Sequence, residues 1–367
     1  MKLFAYIIIL ALLIWSCSVA FNDNENDFRA TPLEFGGDFS IMKKMEDFGG
    51  LYKIDGVVKE GFQIFKDNGY SWARLRIFHT PNMHGPICND LETTIVLAKK
   101  AKQFGFKILL NIHYSDTWAD PGHQIAPAAW KDLSQEILKD SIYNYTKHVI
   151  ETMGDEGVLP DMVQVGNEIN NGMIWPTGKL WLDGGVVNWD ALTELLKAGI
   201  NGINDSKNAN NIPIMIHAAT GGNINAAIKF YSNIIERDAE FDVIGLSYYP
   251  WWHGSFEELE NNINFLARKF NQNISIVETA YYSNSWYPLP SQWILSAQPY
   301  PATERGQNDF LMELAYRLYE LPKVNSVFYW KPDGLDIPKS DVNYLGRSLF
   351  DEDGDALMGI SAWKDIF

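Results

Sequence analysis

The chain is poor in cysteine, histidine and positive charge, and each shortage removes a class of function. Two Cys in 367 residues cannot build a disulfide framework or a thiolate metal cluster. Seven His, without a His-Glu-x-x-His helix, leave no zinc-hydrolase signature. Lys and Arg number 30 against 46 Asp and Glu, a formal net charge of −16, which argues against a nucleic-acid partner. No repeat, low-complexity tract or linker interrupts residues 31–367, and no Gly-x-Gly-x-x-Gly follows the first strand-like run. A dinucleotide fold is therefore not indicated.

Long apolar runs are scarce as well, apart from the one at the start. Lys2 precedes an apolar stretch from Leu3 to Trp15, too short to span a bilayer comfortably and typical of a signal-peptide core. Two processing readings stand. Ser18-Val19-Ala20 has the form of a small-residue cleavage site, which makes residues 1–20 a signal peptide. Ile14-Trp15-Ser16-Cys17 has the form of a bacterial lipobox, which makes Cys17 an acylated first residue. The polar residues of 21–31 then serve as a tether. A lipid-anchored protein of the cell surface or outer membrane is expected, with a periplasmic or secreted chain as the alternative. If Cys17 is acylated or removed, Cys88 is alone and no intramolecular disulfide forms.

Aromatics, by contrast, are abundant: 14% of residues, with 13 Trp. Flat rings suit the apolar faces of sugars, although large aromatics are more often core, and roughly half the Trp are expected to be core. Strand-like runs recur at Phe35–Phe39, Trp72–Phe78, Lys107–His113, Met162–Val165, Ile212–His217, Phe241–Ser247, Ile274–Val277 and Val324–Trp330. Helical patterns separate them at Leu91–Phe104, Gln135–Met153, Trp189–Asn204, Asn225–Arg237, Phe256–Phe270 and Gln307–Glu320. Asn89 and Asp90 before Leu91, and Gly105 after Phe104, are boundary signals. Such alternation implies parallel βαβ units. Eight strands in one domain predict an α/β protein with a single-domain (β/α)8 TIM barrel over residues 32–367.

In that architecture the active site lies at the C-terminal strand ends. Those ends are polar and aromatic: Gly36-Gly37-Asp38, Arg74 to His79, His113 to Asp116, Asn167-Glu168, His217, Tyr248 to Trp252, Glu278 and Trp330. Glu168 and Glu278 each end an apolar strand, where a carboxylate is costly unless chemistry needs it. Two such glutamates on different strands suit an acid/base and a nucleophile facing each other, as in retaining glycosidases, with the carboxyls about 5–5.5 Å apart. His113, Asp116, Asp120, His123 and His217 do not follow a metal-ligand spacing, so no metal and no cofactor is expected. The acidic run Asp351-Glu352-Asp353-Gly354-Asp355 lacks most of a calcium loop and reads as a surface turn.

Three long motifs carry a family resemblance: His113-Tyr114-Ser115-Asp116-Thr117-Trp118-Ala119-Asp120-Pro121-Gly122-His123-Gln124, Val165-Gly166-Asn167-Glu168-Ile169-Asn170-Asn171-Gly172-Met173-Ile174-Trp175-Pro176, and Ser247-Tyr248-Tyr249-Pro250-Trp251-Trp252-His253-Gly254. With Gly36-Gly37-Asp38-Phe39-Ser40 and Arg74-Leu75-Arg76, they resemble the endo-β-1,4-galactanases of glycoside hydrolase family 53, in order from about Phe35 to the C-terminus. The resemblance implies a retaining hydrolase of β-1,4-galactan or type I arabinogalactan, with Glu168 as acid/base and Glu278 as nucleophile. A different β-linked glycan, or a surface glycan-binding protein with little hydrolysis, is the alternative. It implies further that Arg74, chosen over Arg76, hydrogen-bonds the nucleophile and that Asn167 meets the 2-hydroxyl. Tyr248 is a candidate donor to Glu278. Asp38 and Trp330 are candidate substrate-binding residues, His113 and Asp116 either hold hydroxyls or orient their neighbours, and Trp118, Trp175, Trp251 and Trp252 are candidate stacking platforms, at least one of the four being expected in the core. A polysaccharide is thus the expected partner of a monomer whose only membrane contact is its N-terminal anchor. Two departures stand out. The family's usual Trp-Glu-Pro after strand eight is Trp330-Lys331-Pro332 here, and Ile77-Phe78-His79-Thr80-Pro81 replaces a usual tryptophan-containing run. Some bacterial relatives hold calcium after strand seven, but residues 281–303 contain no Asp or Glu, so that site is not expected.

Overall fold

Short runs rich in β-branched and aromatic residues form eight parallel strands in the computed structural model, which describes residues 32–366 except 208–210, 297, 339, 343–345 and 365. The leader, anchor and tether expected in residues 1–31 lie outside the described residues. The strands are β1 (Glu34–Asp38), β2 (Trp72–Ile77), β3 (Lys107–Ile112), β4 (Met162–Val165), β5 (Ile214–Ala218), β6 (Val243–Ser247), β7 (Asn273–Thr279) and β8 (Val324–Trp330). Each pairs with the next, and β8 returns to β1 in a register running from Glu34–Ser326 to Asp38–Trp330. Closure leaves no unpaired edge. The fold is a (β/α)8 barrel.

Seven amphipathic helices cover it: α1 (Gly61–Asp67), α2 (Leu91–Gln103), α3 (Gln135–Asp155), α4 (Trp189–Asn204), α5 (Ile224–Ile235), α6 (Phe256–Lys269) and α7 (Glu304–Tyr319). After β8 the described residues form two isolated β-bridges, Phe350 with Ala356 and Asp355 with Lys53, and a 3₁₀ turn, Met358–Ser361, and the Trp363 indole then donates to the Leu311 carbonyl of α7 at 3.0 Å. Most element ends fall within one or two residues of expectation, and two of the shifted ones have clear local reasons. β5 starts at Ile214 and not Ile212, because Pro213 has no N–H to give and the Asp242 carboxylate takes the Ile214 N–H at 2.8 Å. α7 starts three residues early because Thr303 caps it, accepting from the Gly306 N–H at 3.0 Å.

Side chains alternate across each strand, and the inward series changes character from one end to the other. At the N-terminal end, Trp72, Leu109, Met162, Met215, Val243, Val277 and Phe328 form one buried apolar cluster. Gly36 completes this layer, since a Cβ there would lie 2.4 Å from the Phe328 ring. Two residues further along their strands, Arg74, Asn111, Gln164 and His217 take over, all fully buried. The barrel is therefore plugged below and polar above.

Candidate active site

Buried polar groups must find partners, and those of the upper barrel find one another. Arg74 donates from Nε to Gln164 Oε1 at 3.2 Å and from Nη2 to Asn167 Oδ1 at 2.8 Å. Gln164 Nε2 donates to Asn111 Oδ1 at 2.8 Å, and Asn111 Nδ2 to Asn167 Oδ1 at 3.1 Å. Asn167 uses its own amide on the Ala119 carbonyl at 2.9 Å. Arg74 and Arg76 share the two oxygens of Asp38, at 2.9 and 3.0 Å. Arg74 then reaches Glu278 Oε1 at 2.8 Å, and the Tyr249 hydroxyl donates to Glu278 Oε2 at 3.1 Å. Both oxygens of Glu278 are thus held by donors.

Glu168 is held differently. Gly166 (φ 78°) and Glu168 itself (φ 48°) are left-handed, so the chain leaves β4 in a turn that a non-glycine residue adopts at a cost of order 1 kcal/mol. Tyr114 (φ 50°) after β3 and Lys331 (φ 58°) after β8 do the same. The turn brings Glu168 Oε1 to the Ser247 hydroxyl, which donates at 2.6 Å. Ser247 accepts in turn from His217 Nε2, 2.8 Å away. This polarity fixes the proton of neutral His217 on Nε2 and leaves Nδ1 to accept from the Glu168 N–H, 3.4 Å away.

The electrostatics separate the two carboxyls. Burial, and then the charge of Glu278, push Glu168 up to about 8, against a smaller opposing pull from Ser247. Burial also pushes Glu278 up, but Arg74 pulls it back, and the Tyr249 hydrogen bond helps. One proton shared by the pair therefore resides on Glu168, and the charge on Glu278. His113 and His217 are held well below the usual imidazole range, by burial first and by the neighbouring arginines second.

Both glutamates face one cleft of about 1060 Å³ at the C-terminal mouth. Its walls include Trp118, Trp330, Lys331 and Arg347 on the β3 and β8 side, and Asn170, Asn225, Trp252 and His253 on the side of β4 to β6. Several residues expected at the substrate surface are elsewhere. Asp38, Arg74 and Asn167 are buried under the floor, committed to the network above. The His113 ring is buried, with Nδ1 accepting from the Ala119 N–H at 3.2 Å. Asp116 ties two loops together by accepting from the N–H groups of Thr80 and Ala128, at 2.9 and 2.8 Å. Trp175 lies outside the cleft lining, its indole directed to the Asn171 carbonyl at 3.3 Å. Tyr248 points outward, away from Glu278, and donates to the Gly254 carbonyl at 3.1 Å. Alternation explains the correction: Ser247 and Tyr249 share the inward face and Tyr248 the outward one. Trp251 is core, packed on Tyr282 and Trp293 at 5.2 and 5.3 Å, as are Trp72, Trp130, Trp189, Trp293 and Trp363. Trp118, Trp252 and Trp330 remain as cleft walls, with Trp252 53% exposed.

The model of glycosyl hydrolase family 53 matches residues 34–363. An arabinogalactan endo-β-1,4-galactanase of Cellvibrio japonicus is 33% identical over 82% of this chain and 81% of its own length. One from Humicola insolens is 30% identical over 90% of this chain and 98% of its own. Among solved structures, the family 53 catalytic domain of Ignisphaera aggregans superposes with a TM-score of 0.83 at 33% identity, covering 93% of this chain and 99% of that one.

Proposed function

The chain belongs to glycosyl hydrolase family 53, and from that premise we propose that it is a retaining endo-β-1,4-galactanase acting on β-1,4-galactan or type I arabinogalactan, with Glu168 as acid/base and Glu278 as nucleophile. The observation that carries the assignment is the unequal holding of the two carboxyls. Glu278 has Arg74 and Tyr249 on its two oxygens, a setting for an anion. Glu168 has one neutral hydroxyl on Oε1, which leaves Oε2 to carry a proton to the substrate.

In the first step the Glu278 carboxylate attacks the anomeric carbon. The glycosidic C–O bond breaks, and the Glu168 proton passes to the leaving oxygen. Esterification removes the charge of Glu278, and with it the largest electrostatic cause that keeps Glu168 protonated. Glu168 then takes a proton from water as that water displaces the Glu278 ester, which restores both groups and retains the anomeric configuration. Asn111, Gln164, Asn167 and Asp38 act through Arg74 and are positioning residues. Trp252 and Trp330 offer ring faces on opposite sides of the cleft.

Incubation with potato galactan beside β-glucans, β-mannans and arabinogalactans should give a ladder of galacto-oligosaccharides from the galactan. Glu278→Ala should lower turnover on the order of 10⁴-fold or more while the folded protein still binds the polymer. Appreciable hydrolysis by the variant would reject the nucleophile. Binding without products from the unaltered protein would reject the activity, and a ladder from another glycan would replace the substrate while keeping the mechanism.

For location we propose export and lipid anchoring through Cys17, supported by the apolar run Leu3 to Trp15 and the polar stretch that follows. Radioactive palmitate fed to expressing bacteria should label the protein but not a Cys17→Ala variant, and equal labelling would reject the anchor. A closed barrel with no unpaired strand edge needs no partner subunit for its sheet, which supports action as a monomer.

A further inference from the structure

The wall of the cleft nearest β2, β3 and β8 is cationic in a protein that is otherwise strongly acidic. Arg76, Lys331 and Arg347 line it together with Trp118 and Trp330. These groups form a continuous strip. The Arg76 guanidinium lies 4.9 Å from the Trp118 ring, Trp118 meets Trp330 edge-on at 6.1 Å, and the Arg347 guanidinium lies 4.7 Å from Trp330. Lys331 follows Trp330 directly.

The charges in this strip are unequally satisfied. Arg76 has Asp38, at 3.0 Å. Arg347 is only 9% exposed, yet its guanidinium meets no carboxylate and makes no hydrogen bond among the described residues, and its Nε is buried without a partner. Aromatic rings hold it instead, with Tyr282 at 5.5 Å on one side and Trp330 on the other. Five N–H donors in a planar fork are thereby fixed in position beside the cleft and left unmatched. Asp333, the nearby carboxyl, does not match them. Both of its oxygens are buried without a side-chain partner among the described residues, so neither meets the Arg347 guanidinium, and burial holds its carboxyl well above the usual range. Burial, and then the Arg347 charge, pull Lys331 down to about 7, so the two cations of this wall act on each other.

We propose that this wall is an anion subsite that takes the carboxylate of a uronic acid residue on the glycan, with Arg347 as bidentate partner, Lys331 as second cation and Trp330 as the adjoining ring face. The reaction centre stays where it is. The subsite selects acidic, uronate-bearing stretches of the polymer, and in this form it rests on the reading of the cleft as a galactanase site. Guanidinium and carboxylate match in shape as well as charge.

The test uses a uronate-bearing arabinogalactan and the same polymer after its carboxyl groups have been reduced to alcohols, with potato galactan as neutral reference. The unaltered protein should cleave the carboxylated polymer with a kcat/KM about tenfold above that of the reduced one, as one charged pair gained supplies. Arg347→Gln should bring the ratio close to one, and Arg347→Lys should keep part of it, which separates lost recognition from lost folding. A ratio near one in the unaltered protein, or a ratio unchanged in Arg347→Gln, overturns the subsite. If none of the three polymers is cut, the galactanase reading fails, and calorimetry decides the subsite by itself. Preferential binding of acidic fragments over their reduced counterparts upholds it, and equal or absent binding overturns it.

Discussion

At the scale of the residue, Glu168 sets the pH behaviour of the molecule. Its folded pKa, raised to about 8 by burial and by Glu278, stands well above the roughly 4.3 of an unfolded glutamate. As the general acid it must be protonated, so kcat/KM on galactan should fall on the alkaline side with a midpoint near that value. The same shift has a consequence for stability. A raised pKa means that the folded state holds the proton more tightly, so its contribution is fully present below the unfolded pKa and is lost as pH rises through about 8. Glu168→Gln removes this loss. Melting curves should therefore show the variant gaining on the unaltered protein between pH 5 and pH 9, and a parallel response of the two proteins would refute the assignment. The sequence exposed Glu168 and Glu278 because a glutamate at the end of an apolar strand is conspicuous. It hid Ser247 and Tyr249. A serine is unremarkable in any strand, and the choice between adjacent tyrosines turns on the pleat beyond the end of β6, where the register against β7 shifts between Leu246 and Ser247.

At the scale of the element, what was legible was whatever carries its own boundary chemistry. α2 begins where Asp90 announces it, and the Asp90 carboxylate accepts from the Thr93 N–H at 2.8 Å. Asp90→Ala leaves that donor unsatisfied and should cost about 1 kcal/mol. Denaturant melts should show the loss with unchanged m and unchanged galactan hydrolysis, because the cap lies outside the cleft lining, whereas no change in the midpoint would mean that solvent replaces the cap fully. β4 and β8 were legible to the residue as short runs rich in Val and, in β8, aromatic residues. The hairpin of Tyr52–Ile54 with Val57–Lys59 was not, although Asp55 and Gly56, both at positive φ, form the Asp-Gly turn that such hairpins favour. Three-residue strands are too short for alternation to register. Nor could the sequence show that Trp251 turns into the core while the adjacent Trp252 walls the cleft. The short helix Pro250–His253 places the two indoles on different sides, and no periodicity extends over four residues.

At the scale of the whole molecule, a net charge of −16 surrounds a cleft whose one wall carries Arg76, Lys331 and Arg347, and the two act over different distances. The surface charges repel an acidic polymer through solvent, where the Debye length falls from about 30 Å at 0.01 M salt to about 10 Å at 0.1 M. The cleft cations act at contact, largely buried and flanked by aromatic rings, where salt screens them much less. Added salt should therefore remove more of the repulsion than of the attraction. For the uronate-bearing polymer, kcat/KM should rise, on the order of twofold, between about 10 mM and 150 mM sodium chloride, because encounter is the step that long-range charge controls. Neutral potato galactan, which carries no charge for either field to act on, should show a flat response over the same range. A fall with salt for the acidic polymer alone would mean that the strip is reached by counterions as freely as an exposed patch, and that the rings of Trp118, Trp330 and Tyr282 do not shield it. A rise of equal size for both polymers would instead trace the salt effect to the protein's own compactness, since relief of self-repulsion favours the folded barrel whatever the substrate.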